Sequence, residues 1–187
     1  VWLRASSGYG AFSLSYDYEP FLDKLRANKI NFLREWLAPY PQVWGGQQPY
    51  IFSNGKASLN PVYWKSAHRF LTSAGQRGMW VLIDLTDRYG SEPKDWATNP
   101  LNIALGGPLR NGLPDLYSNP AILDMLRLGV KELSQHKNVL YLVCNEPSKS
   151  ASVEQLTTFH KNVVQLIREI HGSDYRLVGV NLIPDSK

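Results

Sequence analysis

The sequence predicts a parallel α/β sheet of the barrel type, and three observations predict it. Apolar runs rich in strand-forming residues start near positions 30, 79, 139 and 176, and amphipathic helical stretches separate them. Strands joined through helices pair in parallel by right-handed crossovers. No Gly-x-Gly-x-x-Gly and no Gly-Lys-Ser/Thr motif follows any of these runs, which removes the main support for a nucleotide-binding sheet. Large loops follow the strands instead, and in parallel barrels such loops share one face and carry the chemistry.

In chain order, residues 1–5 are the expected first strand and residues 6–10 a loop rich in Ser and Gly. Pro20 suits the first turn of a helix that runs to about Asn28, with Phe21, Leu22 and Leu25 on its apolar side. Residues 30–37 follow as a strand with Arg34, Glu35 and Trp36 near its end. Residues 38–59 read as loop, marked by Pro39, Pro41, Gly45, Gly46 and Pro49. Asn60-Pro61 starts a helix whose apolar stripe is Tyr63, Ala67, Phe70, Leu71 and Ala74, with Gly78 at its stop. Trp64 and Trp80 are expected in the packed core.

Residues 79–85 form another buried strand, ending in Thr86-Asp87-Arg88-Tyr89. Residues 88–119 are expected to be irregular and hold Trp96 and Tyr117; an unstructured segment of that length is usually functional. Asn119-Pro120 repeats the helix-start signal, with Ile122, Leu126, Val130 and Leu133 on one face. Residues 138–147 are an apolar strand that ends abruptly in Asn145-Glu146-Pro147. Ser152 and Gln155 form a capping box for a helix reaching His171-Gly172, and residues 176–182 are the last strand.

Composition narrows the function. With 43% hydrophobic residues, the 187-residue chain supports one core, so residues 1–187 are expected to be a single domain. The net charge of +4 is carried by scattered Lys and Arg with no basic run, which reads as a solvated surface and not a nucleic-acid face. No stretch of about 18 apolar residues is present, so no membrane-spanning helix is expected. The chain starts at Val1 and shows no signal peptide, as in a mature form, a trimmed form or an internal piece. A single cysteine, Cys144, allows no internal disulfide. His68, His136, His160 and His171 lack metal-ligand spacing, so neither a metal nor another cofactor is expected.

The strand tips carry the chemistry. Arg34, Glu35 and Trp36, then Thr86 and Asp87, then Asn145 and Glu146, then Asn181 gather carboxylates, an Arg, amides and rings on one rim. Such groups suit a sugar: amides and carboxylates bind hydroxyls, and aromatic faces stack on sugar faces. Trp44, Tyr89, Trp96 and Tyr117 are the loop rings that would stack. Glu146, with apolar packing on one side and solvent on the other, is placed where a carboxyl can serve as a general acid.

Asn145-Glu146-Pro147 after an apolar strand resembles the Asn-Glu-Pro signature of clan A glycoside hydrolases, such as the cellulase-like family 5 enzymes. "INFLREWL" is similar to their second strand and "RGMWVLIDLTDRYG" to their third, while "NPLN" and "ILDMLRLGVKELSQHKNVLYLVCNEP" resemble the stretch leading to the acid/base. The resemblance covers most of residues 20–182. It implies a (β/α)8 TIM barrel reduced to about its first four to five βα units, with no cofactor. It also implies retaining hydrolysis of a β-linked poly- or oligosaccharide. Glu146 would be the acid/base, Asn145 would bind the hydroxyl beside the reacting carbon, and Arg34 would hold the nucleophile ionised. Trp36, Trp44, Thr86, Asp87, Tyr89 and Trp96 would line the sugar site.

Two departures stand against that pattern. Thr86 occupies a position where many members carry His. The family's nucleophile is a Glu on the seventh strand, and this sequence reaches only the fifth. The alternative is a non-catalytic, carbohydrate-binding barrel remnant. An aldolase-like barrel would want a Lys at a strand end, and none is apparent. Half a barrel exposes the edges of its outer strands, so self-association or a missing second half covering them is expected.

Overall fold

The structure is a computed structural model that describes residues 3–7, 12, 17–37, 46–89, 91–147, 151–174 and 176–181. Its elements follow the alternation of the sequence: β1 (Ala5–Ser7), α1 (Glu19–Ala27), β2 (Phe32–Trp36), β3 (Tyr50–Ser53), β4 (Lys56–Leu59), α2 (Pro61–Gln76), β5 (Trp80–Asp87), α3 (Leu113–Leu116), α4 (Pro120–Leu133), β6 (Val139–Asn145), α5 (Val153–His171) and β7 (Val178–Gly179). Five strands make one parallel sheet in the order β1-β2-β5-β6-β7. Helices carry the chain from one strand to the next, as in the open part of an α/β barrel.

The local rules that set the helix starts are visible atom by atom. Asn60 and Asn119 accept through Oδ1 from the N–H of Val62 (3.1 Å) and Ala121 (3.0 Å). Pro61 and Pro120 follow, where a missing N–H costs nothing. At α5, the Ser152 hydroxyl accepts from Gln155 N (3.1 Å), and Gln155 Oε1 accepts from Ser152 N (2.9 Å). This is the reciprocal capping box.

The two faces of the sheet differ. Along β2, Leu33, Glu35 and Leu37 are fully buried, whereas Phe32, Arg34 and Trp36 are half-buried. Leu33 and Leu37 join Val81, Ile83, Tyr141 and Val143 in the core that also contains Phe70, Leu126 and Ile167 of the helices. The opposite face carries Phe32, Leu82 and Leu140 half-buried, and Trp80 is 42% exposed there. Trp80 is therefore not in the core as expected. It alternates with Val81, and Val81 takes the buried side of the pleat. Trp64 is buried as expected, with Nε1 donating to Pro49 O (2.9 Å).

Three boundaries depart from the sequence expectation. The expected loop at 38–59 contains the β3–β4 hairpin, and its signal was present in Asn54-Gly55. Both residues have positive φ (49° and 74°), as a two-residue primed turn demands, and Asn and Gly tolerate it best. The segment at 88–119 is ordered by asparagine turns. Asn102 caps a short 3₁₀ turn through Ala104 N (3.0 Å) and donates to Trp96 O (2.9 Å), while Asn99 accepts from Leu101 N (2.8 Å). Finally, the first strand spans Ala5–Ser7 and not residues 1–5, and the last is cut to two residues, Val178–Gly179. Residues 1 and 2 lie outside the described residues.

The hairpin packs on α4 at Gly129, where a side chain has no room. A Cβ there would meet the buried Tyr50 hydroxyl and Leu37. We expect Gly129→Ala to destabilise the chain by about 1–3 kcal/mol through overpacking. Urea unfolding measures this, and an unchanged midpoint would contradict the packing described.

Candidate functional site

The site is built on the C-terminal tips of β2, β5 and β6, which parallel pairing brings side by side. Arg34 lies two residues before the end of β2 and Asp84 three before the end of β5, with Trp36 paired to Asp84 in register. Asp87 pairs with Asn145 at the ends of β5 and β6. A carboxylate in the apolar run "WVLIDL" must find a partner once buried. Asp84 is fully buried; its Oδ2 accepts from Arg34 Nε (2.9 Å) and lies 2.8 Å from Arg34 Nη2 in the same ion pair.

The chain of contacts continues from there. Arg34 Nη2 donates to Asn145 Oδ1 (2.6 Å), and Asn145 Nδ2 donates to Asp87 Oδ2 (3.1 Å). Asp87 Oδ1 accepts from Tyr89 N (2.9 Å). A guanidinium can only donate and a carboxylate only accept, so the two ends of the Asn145 amide can be assigned in one way. The Arg34 guanidinium also lies 4.9 Å from the Trp36 ring centre, within cation–π range.

Glu146 leaves the strand with φ +44°, the left-handed region that a non-glycine residue occupies at a cost of roughly 1–2 kcal/mol. Its side chain is 53% exposed on the rim. Oε2 accepts from Tyr89 Oη (2.9 Å) and from Arg88 Nη2 (3.1 Å), and the Arg88 guanidinium sits 4.9 Å from the Tyr89 ring centre. Oε1 has no hydrogen-bond partner among the described residues.

The sequence-derived candidates thus fall into three groups. Arg34, Trp36, Asp87 and Asn145 form one connected cluster, and Glu146 and Tyr89 meet beside it. Thr86 and Trp96 are turned to other partners. The buried Thr86 hydroxyl donates to Val143 O (2.8 Å), and Trp96 Nε1 donates to Arg110 O (3.3 Å) from a 3₁₀ turn. Trp44 lies outside the described residues. Tyr117 is buried, edge-on to Phe159 at 5.4 Å, so it is a packing ring and not an exposed platform. Two participants were not among the candidates, Asp84 and Arg88. The signal for Asp84 was a lone charge inside an apolar strand; Arg88 directly follows the strand tip.

Burial pushes the Asp84 carboxyl up to about 7; the Arg34 guanidinium acts against this and Asp87 adds to it. Cys144, beneath the tip of β6, is likewise raised to about 11 by burial, so it stays a thiol at neutral pH. Among the described residues no cluster of three or more His, Cys, Asp or Glu is arranged to hold a metal ion.

A family model described as cellulase (glycosyl hydrolase family 5) matches residues 4–182. Among solved structures, the chain is similar to an endo-1,4-β-mannanase from Rhizomucor miehei, with 14% identity and a TM-score of 0.70. That match covers 95% of this chain and 55% of the other. An endo-β-1,4-mannanase from Thermotoga petrophila gives 16% identity and a TM-score of 0.69, covering 95% and 42%. A broad-specificity endoglucanase from Clostridium acetobutylicum gives 12% and 0.57, covering 94% and 53%. The chain spans about half the length of these structures. No curated protein matches it.

A raised carboxyl has a defined effect on stability. The Asp84 pKa is about 7 in the folded chain against an ordinary 3.8. Its contribution to stability is therefore fully present below about pH 4 and is lost as pH rises to about 7, at roughly 1.4 kcal/mol per pH unit across that window. Relative to wild type, Asp84→Asn should gain stability between pH 5 and 7 and stop gaining above about pH 8. Urea unfolding across that range tests this, and a pH-independent difference would contradict it.

Proposed function

The chain belongs to the cellulase family, glycosyl hydrolase family 5, and on that premise we propose that it serves as a glycoside hydrolase acting on a β-linked poly- or oligosaccharide, with Glu146 as the acid/base of a retaining, two-carboxylate mechanism. The observation that carries this is the setting of Glu146: a carboxyl on the open rim at the end of β6, with both of its contacts on Oε2 and Oε1 clear of them.

A retaining reaction divides the work between two carboxyl groups about 5–5.5 Å apart. A proton on Glu146 Oε1 passes to the glycosidic oxygen as the bond to the sugar breaks, while the second carboxylate attacks the anomeric carbon. Water then attacks the glycosyl–enzyme bond, and Glu146 takes the proton of that water. Asn145, its amide oriented by Arg34 and Asp87, keeps one Nδ2 proton to offer a sugar hydroxyl. The second carboxylate is assigned to no residue of this chain.

A second function, carbohydrate binding on the same rim without hydrolysis, is favoured by one observation: Arg34 holds the Asn145 amide and lies over the Trp36 ring without involving Glu146. The two are separated by assaying β-linked mannan, glucan and xylan while measuring oligosaccharide binding by calorimetry. Hydrolysis that falls roughly 10²- to 10⁴-fold in Glu146→Gln supports the acid/base role. Hydrolysis unchanged by that substitution would refute it, and binding without hydrolysis would favour the second function.

The partner proposal follows from the sheet. Among the described residues, β1 and β7 each pair on one side only, and the face bearing Phe32, Trp80, Leu82 and Leu140 has no helix on it. Unpaired edges and an apolar face together invite association. We expect the isolated 187-residue chain to form dimers or larger species in light scattering. A monodisperse monomer would contradict this.

A further inference from the structure

Among the described residues, Asp84 is a fully buried charge of the rim network that the proposed chemistry leaves without a task. Its geometry is lopsided. Two nitrogens of Arg34 converge on Oδ2, at 2.9 and 2.8 Å, and Oδ1 is buried with no hydrogen-bond partner among the described residues. A carboxylate held by one oxygen, with the other dry, is costly to keep ionised, because burial removes water that no other donor replaces. The vacant oxygen is also the place where a proton can be added without displacing Arg34.

The same guanidinium that grips Asp84 reaches Asn145, since Nη2 lies 2.8 Å from Asp84 Oδ2 and 2.6 Å from Asn145 Oδ1. One nitrogen therefore couples the buried carboxylate on β5 to the amide beside Glu146 on β6. We propose that Asp84 is a proton-operated positioning residue: its ionised carboxylate locks Arg34, and through Arg34 the Asn145 amide, while a proton on Oδ1 slackens both. In the ionised form the bond is charge-assisted on both sides, the stronger class of hydrogen bond, and it narrows the directions open to Nη2. Once Oδ1 carries a proton taken from solvent, the still-cationic guanidinium loses its counter-charge, and Nη2 is no longer pinned between Asp84 and Asn145.

The charged and titratable groups facing Asp84 are few among the described residues. Arg34 comes from β2 and opposes proton uptake; Asp87 comes from its own strand and favours it. Cys144 comes from β6, and burial raises it far enough to remain a neutral thiol. With the Asp84 carboxyl pushed up to about 7, the exchange between locked and slack forms falls near neutral pH. This inference rests on the proposed function only where it makes Asn145 a sugar-contacting group; the coupling itself is a property of the folded chain.

The test is a nuclear magnetic resonance titration of the ¹³C,¹⁵N-labelled 187-residue chain from pH 5 to 9. It follows the Asp84 carboxyl carbon, Arg34 Nε and the Asn145 side-chain amide in the same samples. The expected result is that all three signals shift with a common midpoint near pH 7, and that Asp84→Asn abolishes the shifts at Arg34 and Asn145. An Asp84 carbon that is flat across the range overturns the proposal. So does an Asp84 carbon that titrates while Arg34 and Asn145 stay still, or an Asp84→Asn chain in which they still move. If that variant does not fold, the common midpoint in wild type decides alone. Hydrolysis enters none of these readouts, so a failed glycosidase assignment and a failed switch give different results.

Discussion

A single guanidinium ties the rim of this sheet together. Arg34 extends from β2 across β5 to β6, gripping a fully buried carboxylate and an amide with the same nitrogen. Three strand tips thereby share one charge pair. Removing Arg34 would leave Asp84 as a desolvated charge without its partner, which costs far more than the pair itself contributes. The residues proposed to touch sugar are arranged outward from that pair. Asn145 is oriented by Arg34 and Asp87, Trp36 lies under the guanidinium, and Glu146 follows Asn145 directly in the chain.

The fold supplies what the pair requires. Parallel strands place their C-terminal ends on one side, so groups far apart in sequence, Arg34 and Asn145 among them, converge without a loop having to hold them. The capped helices and their apolar stripes fix the strands from behind, through a core in which Leu33, Ile83 and Val143 are fully buried. Among the described residues the other face of the sheet has no such layer, and the half-buried Phe32 and exposed Trp80 are its consequence. Polar side chains on that side can therefore reach solvent at the tips while their bases stay in contact with apolar neighbours.

Much of this was legible in the sequence, for physical reasons that also explain the remainder. Asn-Pro at 60–61 and 119–120 marks a helix start through cap chemistry that needs no tertiary partner, and the apolar run before Asn145 marks a strand by length and residue type. The family was suggested by the resemblance of Asn145-Glu146-Pro147 and the segments before it, and the family model over residues 4–182 shows it. The β3–β4 hairpin is hidden in the sequence because Pro39, Pro41 and Pro49 dominate the segment, although Asn54-Gly55 carries its turn. The site was only partly legible, since a strand-end position does not specify which way a side chain turns. Thr86 has the right place but donates its hydroxyl back to Val143 O. Arg88 has no motif to mark it and still contacts Glu146. Asp84 is a lone charge within an apolar strand, but its partner comes from a strand 50 residues away, which the sequence does not specify.

The central claim is that Arg34 and Asp84 act as one unit on which the rim depends. A double-mutant cycle of unfolding free energies at pH 8, using Arg34→Met, Asp84→Leu and the double substitution, measures that most directly. The account predicts that Arg34→Met alone costs about 3–5 kcal/mol, because it leaves Asp84 buried and unpaired, and that the double variant recovers much of that loss. Costs that add within about 0.5 kcal/mol would mean that the two side chains are neighbours without being partners.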